Sequence, residues 1–149
     1  MSAQLQLAKP EHIAPLLSLV ARFHEEYGLE TTEEHRRAAL EPLLEGSPHG
    51  AIYLIGPARA PVGYLVVTFG WSVEFGGLDG FVDEIFVRPS VRGRGIGTEA
   101  LLALGRALAG TGLRALHLEV DRSDEAKQRL YGKAGFRLRD RYALMTRVF

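Results

Sequence analysis

The run Val87-Arg88-Pro89-Ser90-Val91-Arg92-Gly93-Arg94-Gly95-Ile96-Gly97-Thr98 joins an apolar, strand-like segment to a helix-like one. Gly93, Gly95 and Gly97 let the backbone approach a ligand closely and turn its N–H groups outward. A helix beginning at Ile96 adds its unpaired first-turn donors and the positive end of its dipole. Such a junction suits an anion, phosphate above all. Arg88, Arg92 and Arg94 supply guanidinium groups that pair with phosphate oxygens. A turn that merely connects two elements is the plainer reading, and the arginine spacing weighs against it.

Upstream of this junction, Gln4–Ala8 alternates as a short strand. Pro10 opens a helix that Gly28 ends, with Ile13, Leu16, Leu17 and Val20 at helical spacing. Thr31 or Thr32 begins a second helix running to about Leu44. Ala51–Ile55 and Val62–Phe69 form a hairpin, Gly70–Gly80 a longer connection, and Phe81–Val87 a third strong strand. Downstream, Ile96–Ala109 is helical, Ala115–Val120 a strand and Asp124–Ala134 a helix. Arg137–Arg139 and Ala143–Phe149 read as a closing strand pair. The order predicts one α/β (α+β) domain over residues 1–149. Its central sheet is mixed and largely antiparallel, flanked by helices, with one parallel crossover around the glycine loop.

Length and composition agree with a single domain: 149 residues bury a sizeable core without staples. The absence of cysteine removes disulfides, cysteine–zinc sites and thiol nucleophiles. The segment Met1–Gln6 lacks the pattern of a secretory signal, and no apolar run spans a bilayer. A cytoplasmic protein with no membrane partner is expected. The net charge of zero hides an asymmetry. Residues 1–84 hold 12 acids and 5 bases (−7), and residues 85–149 hold 6 acids and 13 bases (+7). Halves of opposite sign can serve ligands of opposite sign. His12, His24, His35, His49 and His117 show no metal-ligand spacing, so no metal is expected. The near-neutral chain argues against nucleic acid as a partner, although Arg137, Arg139 and Arg141 are basic.

A rival phosphate reading is Gly95-Ile96-Gly97-Thr98-Glu99-Ala100, which fits G-x-G-x-x-A with Glu119 about 20 residues on. The intervening Pro89–Arg94 and the short remaining chain speak against a dinucleotide fold.

The chain resembles the GNAT superfamily of N-acetyltransferases. The family motif R/Q-x-x-G-x-G/A is met by Arg92-Gly93-Arg94-Gly95-Ile96-Gly97. The preceding family strand is met by Asp83-Glu84-Ile85-Phe86-Val87-Arg88-Pro89. The later L-Y-x-x-x-G-F motif is met by Leu130-Tyr131-Gly132-Lys133-Ala134-Gly135-Phe136. Tyr142-Ala143-Leu144-Met145 is similar to the family's last strand. Asp124 and Lys127 depart from the Asn and Ala usual there. The resemblance covers nearly the whole chain and implies acetyl-CoA as donor, with direct attack by an amine. It implies diphosphate binding by Arg92, Gly93, Arg94, Gly95, Ile96, Gly97 and Thr98, with Asp124 and Lys133 nearby. It also implies that the pantetheine arm lies along Ile85, Phe86 and Val87 like an added strand. Tyr131 is the implied acid. Asp83, Glu84 and Glu119 compete as the base that a lysine-like amine needs near neutral pH. Strand alternation sets Asp83 with Phe81, Ile85 and Val87, and Glu84 with Val82 and Phe86, unless a bulge intervenes.

The acceptor is expected between the first two helices and the last strands. Glu25, Glu26, Glu30, Glu33 and Glu34 form an acidic rim there, which predicts a cationic small molecule or polyamine. Tyr27, Trp71 and Phe75 are candidates for an apolar wall, or equally for core or interface packing. A non-catalytic acyl-CoA-binding module and a protein-lysine or N-terminal acetyltransferase are the alternatives. The resemblance also favours a homodimer.

Overall fold

The computed structural model describes residues 4–149. Met1–Ala3, read above as part of a segment without a signal, lie outside the described residues. Strand β1 is Leu5–Leu7. A single 3-10 turn at Pro10–His12 leads into α1, Ile13–Glu26. Gly28, at φ +69°, takes the left-handed turn that ends it. Helix α2, Glu33–Leu44, starts at Thr32, whose side chain accepts from the His35 N–H at 3.0 Å.

Strands β2 (Gly50–Ile55), β3 (Gly63–Ser72) and β4 (Gly77–Val87) follow, then α3 (Ile96–Leu108), β5 (Ala115–Leu118) and α4 (Glu125–Lys133). The sheet runs β1-β2-β3-β4-β5 in chain order. Pairs from β1 to β4 are antiparallel, and β5 joins β4 in parallel through the α3 crossover. The expected mixed, largely antiparallel sheet is present.

Alternation along the strands divides the core into two layers. Ile52, Leu54, Tyr64, Val66 and Phe86 pack under α1 and α2 with Leu16, Leu19, Val20, Leu40 and Leu44. Ile55, Leu65, Val67 and Val82 pack on the other face against Ile96, Ala100, Leu101, Leu104 and Leu108 of α3. Tyr131 and Leu130 of α4 join that second layer from the edge.

Two expectations change. Gly70–Gly80 is not a long connection: Phe69 to Ser72 pair with Gly80 to Gly77, leaving a turn at residues 73–76. The glycines there let the strands continue, and backbone pairing overrode the loop-like composition. The strand pair over Arg137–Arg139 and Ala143–Phe149 is absent, and residues 137–149 carry no regular structure. An alternating pattern makes a strand only where an edge receives it. Here the segment is fastened by Arg139 to Glu74 at 2.9 Å and by Arg122 to the Tyr142 carbonyl at 3.1 Å. Beyond Tyr142 it lies exposed, with Met145 at 95% and Phe149 at 100%.

Candidate active site

Strand β4 builds the site by changing its partners along its length. It pairs with β5 only from Asp79↔Ala115 to Val82↔Leu118. Its pairing with β3 continues to Val87↔Gly63. From Asp83 to Val87 the side once covered by β5 is therefore open. A cleft of about 290 Å³ occupies this gap. Ile85, Phe86 and Val87 line one wall, and Gly93, Gly95, Ile96 and Gly97 close its end. Ala126, Lys127, Leu130 and Tyr131 of α4 form the opposite wall.

The end of the cleft is prepared for an anion. Gly93 and Gly95 hold φ of +80° and +77°, and a Cβ on either would meet nothing within 4 Å. No side chain caps α3, whose N-cap is Gly95. First-turn N–H groups without a side-chain partner, beside open space, are what a diphosphate requires. Thr98 serves the frame, donating to the Leu130 carbonyl at 3.3 Å and tying α3 to α4. Arg88 is turned away, with its Nε on the Pro61 carbonyl at 3.0 Å. Arg94 is exposed and has no partner among the described residues. Arg92 holds the Val87 carbonyl through Nε at 2.8 Å and Glu26 through both terminal nitrogens, at 2.8 and 2.7 Å. That pairing holds the Glu26 carboxyl below its ordinary range and raises the Arg92 guanidinium. Asp124 caps α4 by accepting from the Lys127 N–H at 3.0 Å, and Lys133 is exposed at the helix end.

A β-bulge separates the acidic pair. Val67 pairs with Val82 and Val66 with Glu84, leaving Asp83 as the extra residue. Simple alternation therefore fails. Val82 lies on the α3 face with Ile85 and Val87, whereas Glu84 lies with Phe86 on the α1 face. There Glu84 Oε1 accepts from the buried Tyr64 hydroxyl at 2.7 Å, and Oε2 lies 2.7 Å from His24 Nε2. His24 Nδ1 in turn lies 2.7 Å from Thr31 Oγ1. Asp83 has no hydrogen-bond partner among the described residues. Partial desolvation first, then the charges of Glu84 and Glu119, push its carboxyl up, although the residue as a whole is exposed. Glu119 is exposed one residue past β5.

Tyr131 lines the cleft, and burial raises its phenol while Lys127 opposes the shift. Lys127 places its ammonium on the Tyr27 hydroxyl and 4.6 Å from the centre of the Tyr27 ring. Glu26 and Tyr27, expected on the acceptor side, thus belong to the walls of this cleft. Glu25 and Glu30 are exposed at and beyond the end of α1. Trp71 and Phe75 are not among the residues lining it. Trp71 is 75% exposed opposite Leu78, and Phe75 lies tilted against His117 with ring centres 5.6 Å apart. His24, Tyr64 and Thr31 were missed as a linked group. Helical spacing places His24 on an inward face, but its partner is 60 residues away. Among the described residues no helix is long and apolar enough to cross a membrane, and no group of acidic or histidine side chains is placed to hold a metal.

The model of the acetyltransferase (GNAT) family matches residues 16–136, and the chain belongs to that family. It is an acetyl-transferring enzyme. Among solved structures it is similar to the integron cassette protein HFX_CASS3 from the mobile metagenome of Cole Harbour Salt Marsh. The identity is 34% over 98% of this chain and 91% of that one, with a TM-score of 0.85. The fold is shared with aminoglycoside N-acetyltransferase AAC(6')-Iy in complex with CoA, at 17% identity, 98% and 100% coverage and a TM-score of 0.72. It is also shared with the aminoglycoside acetyltransferase meta-AAC0020 from an uncultured soil metagenomic sample, in complex with sisomicin. That match has 12% identity, 98% and 95% coverage and a TM-score of 0.79. Among curated proteins no significant match is found.

Proposed function

We propose that this chain moves an acetyl group from acetyl-CoA to a primary amine of a cationic small molecule or polyamine, by direct attack, in the cytoplasm. The observation that carries the reading is the open side of β4 at Asp83–Val87, ending on an uncapped helix start and faced by Tyr131. The residues fit coenzyme A. Gly93 and Gly95 leave room at the anion end, and the apolar edge Ile85–Val87 suits a pantetheine arm. Acetyl-CoA, when bound, supplies a thioester open to attack by an amine.

The chain's own residues then have separable tasks. Gly95, Ile96 and Gly97 present N–H groups to phosphate oxygens. Asp83 is favoured as the base: its carboxyl is raised and has no hydrogen-bond partner among the described residues, so it is free to take a proton from the acceptor's ammonium. Glu84 is already engaged: one oxygen accepts from the Tyr64 hydroxyl and the other lies 2.7 Å from His24 Nε2, so neither is free for the acceptor. Tyr131 keeps its proton through the neutral range and gives it to the departing sulfur. Sisomicin, the aminoglycoside bound by the fold neighbour meta-AAC0020, is an amine of the same cationic kind. The exposure of Leu144, Met145, Val148 and Phe149, and a β5 edge left unpaired among the described residues, support a homodimer.

A thiol-release assay over a panel of polyamines, aminoglycosides, neutral amines and basic peptides tests the reading. Turnover with cationic small amines is expected. Turnover only with anionic or apolar amines would reject the acceptor class. Turnover only with peptides would make it a protein acetyltransferase, and binding without turnover a non-catalytic module.

A further inference from the structure

Glu26 occupies the end of the Arg92 guanidinium, a group suited to pairing with phosphate. It is the last residue of α1, and its two oxygens span both terminal nitrogens of Arg92 inside the coenzyme cleft. A bidentate carboxylate on arginine has the geometry of a phosphate on arginine. Arg92 also spends its Nε on the Val87 carbonyl, so the face it could offer to a phosphate is the face Glu26 holds.

The arrangement is unfavourable for Glu26 without that arginine. A carboxylate at a helix C-terminus meets the negative end of the dipole. Glu25 precedes it and Glu30 follows, both exposed. The other cations bearing on it are Arg22 and Lys127, and Lys127 is engaged by the Tyr27 hydroxyl and ring. A carboxylate released from Arg92 in this setting attracts any further cation that enters the cleft.

We propose that Glu26 couples the two substrates: it occupies Arg92 until the coenzyme diphosphate replaces it, and is then available to the ammonium of the acceptor. The proposal rests on the acetyl-CoA reading above. It makes Glu26 a specificity residue whose partner changes during binding. No other residue at the end of α1 spans Arg92. The coenzyme therefore meets a competing anion on entry, and the acceptor meets a free anion only after the coenzyme is seated. By linkage, each ligand then tightens the other by one and the same factor.

Calorimetric titration of coenzyme A and of spermidine into wild type and Glu26→Gln tests this without reference to turnover. Coenzyme A alone should bind Glu26→Gln about two- to tenfold more tightly, a range set by the worth of a half-exposed ion pair plus relief of anion repulsion. In wild type, saturating coenzyme A should tighten spermidine about fivefold or more. In Glu26→Gln that enhancement should vanish. Coenzyme A binding that is equal or weaker in the variant overturns the competition. Enhancement that survives in the variant overturns the handover. Absence of coenzyme A binding by both proteins overturns the acetyl-CoA reading itself, and the inference with it. The Arg92→Lys variant guards against a folding artefact: it keeps the charge, loses the two-pronged contact, and should shrink the effect of Glu26→Gln.

Discussion

Asp83 and Glu84 are adjacent carboxylates with opposite surroundings, and Asp83 is the bulged residue of β4. Glu84 accepts from Tyr64 and lies against His24, while Asp83 faces the charges of Glu84 and Glu119. If Asp83 is the base, Asp83→Asn should lower kcat about 10²–10⁴-fold. The stability effect has a definite sign. A carboxyl raised in the native state holds its proton longer there than in the unfolded chain. Folding stability therefore falls as pH rises from the ordinary aspartate value of about 3.9 through the raised value. Asp83→Asn should raise Tm at neutral pH, and the gain should disappear below about pH 4. Thermal melts over a pH series check this; a lower Tm at pH 7 contradicts the burial argument. Tyr131→Phe should lower kcat by a similar order as an acid role requires, with little change in coenzyme affinity by calorimetry.

At the scale of elements, the site exists because β4 and β5 part after Val82 and Leu118 while β3 keeps its hold. Gly63 maintains that hold. A Cβ there would lie 2.1 Å from the Phe86 carbonyl oxygen, against backbone that cannot swing aside. Gly63→Ala should cost about 1–3 kcal/mol. It should also weaken coenzyme A binding, because the displaced backbone is the cleft wall. Two glycines of the anion loop should respond in opposite ways. Gly95, at φ +77°, has open space around it, so Gly95→Ala costs about 1–2 kcal/mol in conformation alone. Gly97 sits within α3, and an added Cβ makes an ordinary 3.6 Å contact with Leu130. Gly97→Ala should therefore gain up to about 1 kcal/mol. Denaturation curves of the two variants, run together, distinguish the signs.

Across the whole molecule, the acidic first half and basic second half meet at this cleft, Glu26 against Arg92. Coenzyme A at about 100 times its Kd should stabilise the fold by about 2.7 kcal/mol. For a chain of this size that is roughly 5–10 °C in Tm. The tail beyond Tyr142 leaves Leu144, Met145, Val148 and Phe149 in solvent, and among the described residues β5 has a partner on one side only. Such an edge and such a segment are each prone to recruit another chain. Light scattering should find a dimer in the full chain, and removal of residues 143–149 should shift it toward monomer. A monomeric full chain at micromolar concentration would contradict the dimer.

The chain's local chemistry was enough to determine the element order through Gly135, the helix start at Ile96 and the anion loop before it. Periodicity, caps and glycine positions act over a few residues, so they are written in neighbouring letters. The family motifs likewise imply one site for Tyr131 and Ile85–Val87, and these four residues line a common cleft. Other features depend on partners far along the chain. The bulge at Asp83 that parts Val82 from the face of Glu84 and Phe86, the contacts of Glu84 with His24 and Tyr64, and the capture of Arg92 by Glu26 across 66 positions belong to packing. The tail makes the same point from the opposite side. Ala143 to Phe149 carries a strand-like pattern, but a strand is a relation between two backbones, and among the described residues no second backbone pairs with it.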